Sequence, residues 1–193
     1  MYIVDTSCIS PQHSFSKSFI GEGEVRHHEG NQYKALEPSY QSIIAPSALR
    51  RMAKALRMGV GAGGTLVHRN DKVDGIVIGT AYGGLDHCLM FLNQIVEYKE
   101  STLTPTNFVQ STSNNIASQL AVLSSNTGYN STHVHKGLAF EAALLEAQLL
   151  LEDATCTSLL VGATEEISEY NFSIDEQAGL YKPASTTTST ILL

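Results

Sequence analysis

Apolar positions in this chain fall into two rhythms that take turns. Tyr2–Ile9 is apolar and β-branched and is closed by Ser10-Pro11, which predicts a strand. Gln12–Ala45 shows no period and reads as a long irregular excursion with room for one short strand. Pro46 then opens a helix with Ser47 as its N-cap. Leu49, Met52, Ala53, Leu56 and Val60 form one face, with Arg50, Arg51, Lys54 and Arg57 between them. Val73–Gly79 is a continuous apolar run, the mark of a strand buried on both faces. Gly83-Gly84 breaks the chain. Asp86–Lys99 predicts a helix, with Leu85, Leu89, Leu92 and Val96 at helical spacing. Thr102–Gln110 reads as a loop, Ser113–Ser124 as a helix, Gly128–His135 as a strand and Gly137–Glu152 as the strongest helix. Thr157–Gly162 is a further buried strand, and Ser189–Leu193 a last one. Strands that alternate with helices imply βαβ units, a mostly parallel sheet and helices on its faces.

Composition narrows the partners. Of 193 residues, 42% are apolar and 16% charged, and the net charge is -7. Such a length suits one domain, 1–193, with a sizeable core. An acidic chain with a pI near 5.4 does not suit nucleic acid or an anionic membrane surface. The charge fraction is below the usual quarter, which leaves more neutral surface to be covered. Cys8, Cys88 and Cys156 are too far apart for a Cys-x-x-Cys pair and odd in number, so they read as free thiols in a reducing compartment. Met1–Asp5 has no basic region followed by an apolar run, and no apolar stretch approaches 18 residues. The expected location is cytoplasmic. The sequons at Asn130 and Asn171 are then chance occurrences.

Two patterns carry candidate chemistry. Gly59-Val-Gly61-Ala-Gly63-Gly64 matches Gly-x-Gly-x-x-Gly, which cradles a pyrophosphate when it follows a strand and opens a helix. Here a basic helix precedes it and a strand follows, so close helix packing accounts for the glycines better. His133 and His135 lie two apart on a strand, so their imidazoles share a face. A metal would need a third ligand, and none is evident. No metal and no cofactor are expected. No Gly-x-Ser-x-Gly elbow occurs, and no cysteine opens a helix after a strand.

Several of these stretches, in order, resemble the N-terminal half of a β-ketoacyl synthase, of the thiolase-like fold. They are Tyr2–Pro11, Ala45–Leu56 with its Arg-Arg-Met, Gly79-Thr-Ala-Tyr-Gly-Gly84, and Pro105-Thr-Asn-Phe108 followed by Ser111 and Asn114. Gly128–Gly137, Leu159–Glu165 and Tyr181–Leu193 complete the set. The resemblance implies an α/β half-molecule: a mixed, mostly parallel five-stranded sheet with helices on both faces, without the family's C-terminal half. It also implies a dimer in which the strand Tyr129, Asn130, Ser131, Thr132, His133 pairs across the interface.

The family's nucleophile is a cysteine in a Thr-x-Cys-x-x-Gly setting. This chain reads Thr132-His-Val-His-Lys-Gly137, which puts Val134 at that position. Valine cannot form a thioester, and the family's remaining catalytic groups come from the C-terminal half. The resemblance therefore implies a subunit without condensing activity. It would pair with a full-length ketosynthase or with itself and shape an acyl tunnel, as chain-length factors do in polyketide-type and aryl-polyene systems. Acyl carrier protein is a further expected partner. Two alternatives stay open: an acyltransferase using His133 or His135, and a stand-alone module that binds acyl groups or acyl carrier protein.

Overall fold

The computed structural model describes residues 1–15, 25–30, 32–70, 72–99, 101 and 103–181. Two helices come first, α1 (Pro46–Leu49) and α2 (Lys54–Arg69). Strand β1 (Gly75–Thr80) leads into α3 (Leu85–Glu97), α4 (Pro105–Gln110) and α5 (Asn115–Ser124). Then follow β2 (Tyr129–Val134), a single 3-10 turn, α6 (Ala139–Glu152), β3 (Leu159–Ala163) and α7 (Glu169–Gln177). The strands run in the order β2-β1-β3, and both pairings are parallel.

The central strand explains the layers. All six residues of β1 are buried, as its apolar run predicts. Ile76 and Ile78 face one way, into a core with Leu56 and Val60 of α2, Ile116 and Leu120 of α5, and Leu160 of β3. Val77 faces the other way and packs with Ala143 and Leu150 of α6 and with Cys156. Helices α2 and α5 therefore cover one face and α6 the other. Alanines 139, 143 and 147 recur every fourth residue on the buried stripe of α6, which lets this helix approach the sheet closely.

Helix α2 swallows the glycine run whole. Four interior glycines cost a helix roughly 3–4 kcal/mol relative to alanine. Packing offsets that cost. A Cβ on Gly59 would meet Thr164 Oγ1 at 2.7 Å, one on Gly61 would meet the Tyr40 ring, and one on Gly63 would meet Leu120 at 2.8 Å. The run is thus the close-packing face expected of it; among the described residues no strand precedes it, and it lies inside α2 rather than at a helix N-terminus.

Several predicted elements differ from the structure. Tyr2–Ile9 is not a strand, and Met1–Val4 are 74–86% exposed. Its composition favours pleated backbone, but a strand needs an edge to pair with, and it pairs with none of the described strands. The helix predicted from Pro46 is broken into α1 and α2, and its first cap is Ala45 rather than Ser47. The predicted loop over Thr102–Gln110 contains α4, because Pro105 stands in the first turn of that helix, where its missing N–H is no loss. Helix α7, capped by the Ser168 hydroxyl accepting from Asn171 N–H at 3.1 Å, has too weak an apolar period to announce itself. Among the described residues the sheet has three of the five expected strands, and both of its pairings are parallel. Ser189–Leu193 lies outside the described residues.

Residues 32–45 have no regular structure, yet they are anchored. Tyr40 and Ile44 are buried in the α2 core. The Arg57 guanidinium donates to both carboxylate oxygens of Glu37, at 2.6 and 2.8 Å. That pairing holds the Glu37 carboxyl below its ordinary range and raises Arg57.

Candidate site at the carboxyl ends of the strands

All three strands end at the same edge of the sheet, which is where open parallel sheets place their ligand crevices. The turn after β1 organises this edge. Gly83 and Gly84 take left-handed conformations, φ 61° and 74°, which favour glycine, and Gly84 caps α3. Gly83 N–H donates to the Thr80 hydroxyl at 3.2 Å. The elbow after β2 is bound to the same turn: His135 N–H donates to the Thr80 carbonyl at 3.4 Å and Lys136 N–H to the Ala81 carbonyl at 3.3 Å. After β3, Thr164 N–H donates to the Gly79 carbonyl at 3.1 Å. The Glu165 carboxyl accepts from Ala81 N–H at 2.5 Å.

A small cavity opens beside this turn. Its polar wall includes Thr80, Tyr82, Asp86, His87, Ser113 and Glu165, and Leu56 and Ile116 contribute apolar surface. Asp86 Oδ1 and His87 Nδ1 are buried and have no hydrogen-bond partner among the described residues. Burial pushes the Glu165 carboxyl up to about 7, against the pull of the Ala81 N–H. The cavity is therefore lined by acceptors and by a carboxyl poised to change charge near neutrality.

The predicted site residues fall around this edge but do not converge. Val134 ends β2, is 48% exposed, and lies opposite Thr80 in the sheet register. It packs on Gly83: a Cβ there would lie 3.3 Å from Val134 Cγ2 and 2.8 Å from Ser113 Cβ. His135 follows the strand and is exposed. His133 points elsewhere, with its Nε2 2.5 Å from Glu146 Oε2 on α6. The expected shared face is lost because β2 ends between the two histidines. Among the described residues no group of three or more His, Cys, Asp or Glu is placed to hold a metal ion.

The β2 strand is an edge strand, and helices tie both of its faces. Tyr129, Ser131 and His133 alternate along it, and the Tyr129 hydroxyl and the His133 imidazole hydrogen-bond to the Glu146 carboxylate. Burial raises that carboxyl, but the bonds from Tyr129, His133 and Ser131 outweigh burial and hold it below its ordinary range. On the other face, Asn130 Nδ2 donates to the Ala117 carbonyl of α5 at 3.0 Å. Beside the strand, Leu138, Leu145 and Leu149 are 54–60% exposed.

Sequence reasoning missed Glu146 as the organiser of β2 and missed the Asp86–His87–Ser113 grouping. The first was visible as hydrogen-bonding residues at every second position of a strand followed by a helix with glutamates. The second had no local signal, since its members lie on α3 and before α5.

Residues 25–189 match the family described as β-ketoacyl synthase, N-terminal domain. The chain belongs to that family, and its parallel sheet between helices is the thiolase-like fold. Among solved structures it resembles a chain in the complex of a ketosynthase (ApeO) with its chain length factor (ApeC) from Xenorhabdus doucetiae, with a TM-score of 0.62 and 20% identity. The likeness covers 79% of this chain and 62% of that one, so this chain spans less than two thirds of the length of the protein it matches. No curated protein matches it. Among the described residues no helix is long and apolar enough to cross a membrane.

Proposed function

We propose that this chain is a ketosynthase-like subunit without a condensing nucleophile. It pairs with a cysteine-containing ketosynthase and helps to shape that enzyme's acyl tunnel, in fatty-acid or polyketide-type biosynthesis such as that of aryl-polyene pigments. The observation that carries the reading is Val134, which occupies the end of β2 where the family's motif carries cysteine. A valine side chain offers neither a thiolate nor an acidic proton, so acyl transfer cannot start there. His133 does not replace it, because its imidazole is engaged with Glu146.

Partner pairing is supported by the β2 edge. Among the described strands β2 lies at the edge of the sheet, and the neighbouring helix α6 carries the exposed Leu145 and Leu149, a combination that a second strand and its helix would cover. In the solved neighbour a ketosynthase sits in complex with its chain length factor. The complex is tested by co-expressing this chain with a cysteine-containing ketosynthase from the same genome. A single co-eluting species on a sizing column is expected, whereas two separate species sink the reading.

A further inference from the structure

Three buried polar groups meet at the cavity beside the β1–α3 turn without a partner. Asp86 Oδ1 and His87 Nδ1, both in the first turn of α3, are shut off from solvent and bonded to no described residue. Asn171 of α7 is 6% exposed, and its side-chain amide has no partner among the described residues either; its bond to Ser168 comes from the backbone N–H. All three residues line the cavity. A buried polar group without a partner is costly, and three at one place point to something that they bind.

Charge decides what that is. Glu165 and Glu166 add two carboxyl groups to that of Asp86, and among the described residues no Lys or Arg lines the cavity. On α2, Arg57 lies in the field of Glu166 but gives its hydrogen bonds to Glu37, and Lys54 lies in the field of that same Glu37. The amino end of α3 carries roughly half a positive charge, too little to offset Asp86 and Glu166 even with the Glu165 carboxyl protonated. The site therefore disfavours an anion. Water would complete the hydrogen bonds but leave the negative charge unpaired.

We propose that this cavity binds a primary alkylammonium group, carried by a free amine or by a lysine side chain of another chain. The cavity holds about 40 Å³, and one water-sized group needs roughly 10–15 Å³. That volume suits an ammonium head and its first methylenes. The head has three donors for three acceptors: Asp86 Oδ1, the side-chain carbonyl of Asn171, and His87 Nδ1 in the tautomer that carries its proton on Nε2. The stem runs along Leu56 and Ile116, the apolar part of the wall.

This site does not depend on the partner reading, because every group named belongs to one chain. Its test is an NMR titration of that chain at neutral pH and constant ionic strength with n-butylammonium, with butan-1-ol and butyrate as neutral and anionic controls. Expected are saturable shifts of the Asn171 side-chain amide and of the Asp86 and His87 backbone amides, with a dissociation constant of about a millimolar. Both controls should bind about tenfold more weakly or not at all, and Asp86→Asn, which keeps the size of the side chain, should weaken n-butylammonium by about tenfold. Acetyl-Gly-Lys-Gly-amide separates the two sources. Binding as tight as that of n-butylammonium assigns the site to a lysine of another chain, and binding of the free amine alone assigns it to a small molecule. No saturable shift, an equal response to butan-1-ol or butyrate, or unchanged affinity in Asp86→Asn overturns the proposal. The wild-type titration with its controls decides the matter even if the variant does not fold.

Discussion

Gly79 shows how one hydrogen atom in place of a methyl sets the geometry of this molecule. It lies at the carboxyl end of β1, where a Cβ would come within 2.5 Å of the Ala139 carbonyl oxygen. The obstacle is backbone at the start of α6, and it cannot rotate away as a side chain can. Gly79→Ala is therefore expected to destabilise the chain by about 3 kcal/mol, at the upper end of overpacking costs. Urea unfolding monitored by circular dichroism measures it, and a loss below about 0.5 kcal/mol would show that α6 can shift. Tyr40 is a second residue whose role only packing reveals. Its ring fills the space left by Gly61, its hydroxyl donates to Glu37 at 3.1 Å, and burial and that carboxylate hold its proton on. Both glycines stand out in the sequence as glycines. What each makes room for does not, because the neighbour comes from a distant part of the chain.

At the scale of elements, strand β1 and helix α6 were legible because their patterns are strong and local. Val73–Gly79 is apolar throughout, and β1 is buried throughout. Helix α6 combines good helix formers with a fixed alanine spacing. What depends on context was legible only in part. Helix α3 follows the helix predicted over Asp86–Lys99, but it has no fully buried residue, and Leu92 and Val96 are 49% and 80% exposed. The irregular segment 32–45 is held beside α2 by the buried Tyr40 and Ile44 and by one ion pair. Side chains of Arg57 and Glu37 are 32% and 22% exposed, so solvent screens the pair and its contribution is about 1 kcal/mol. The Glu37 carboxyl is lowered when folded, so its contribution exists above the unfolded value near 4.5 and fades as pH falls below it. Arg57→Ala should lower stability by about 1 kcal/mol at pH 7 and by less at pH 3. Chemical denaturation at the two pH values tests this, and an equal loss at both would assign the effect to the packing of the arginine stem.

At the scale of the whole molecule, the open questions lie on its surface. Leu145 and Leu149 are exposed on α6, the helix that packs on β2, and substituting them probes association without touching the core. Leu145→Glu with Leu149→Glu should leave unfolding stability within about 0.5 kcal/mol per site, as is usual for exposed positions. The pair should also abolish complex formation with a ketosynthase, or self-association if the chain pairs with itself. Analytical ultracentrifugation distinguishes the outcomes. Unchanged association places the partner on another face, such as the α3–α4 surface, where Met90, Phe108 and Val109 are half exposed.

The amino-acid sequence by itself determined the alternation of strands and helices, the buried central strand, the packing role of the glycine run and membership of the ketosynthase family. All of these are written in periodicity or in ordered motifs, which are properties of neighbouring residues. Tertiary structure alone decided which segments pair. It left Tyr2–Ile9 outside the sheet, limited the described sheet to three parallel strands, turned His133 toward Glu146 and brought Glu165 to Ala81 across 84 positions of chain. Strand pairing and buried charge depend on contacts between residues far apart in sequence, and no local pattern encodes the partner.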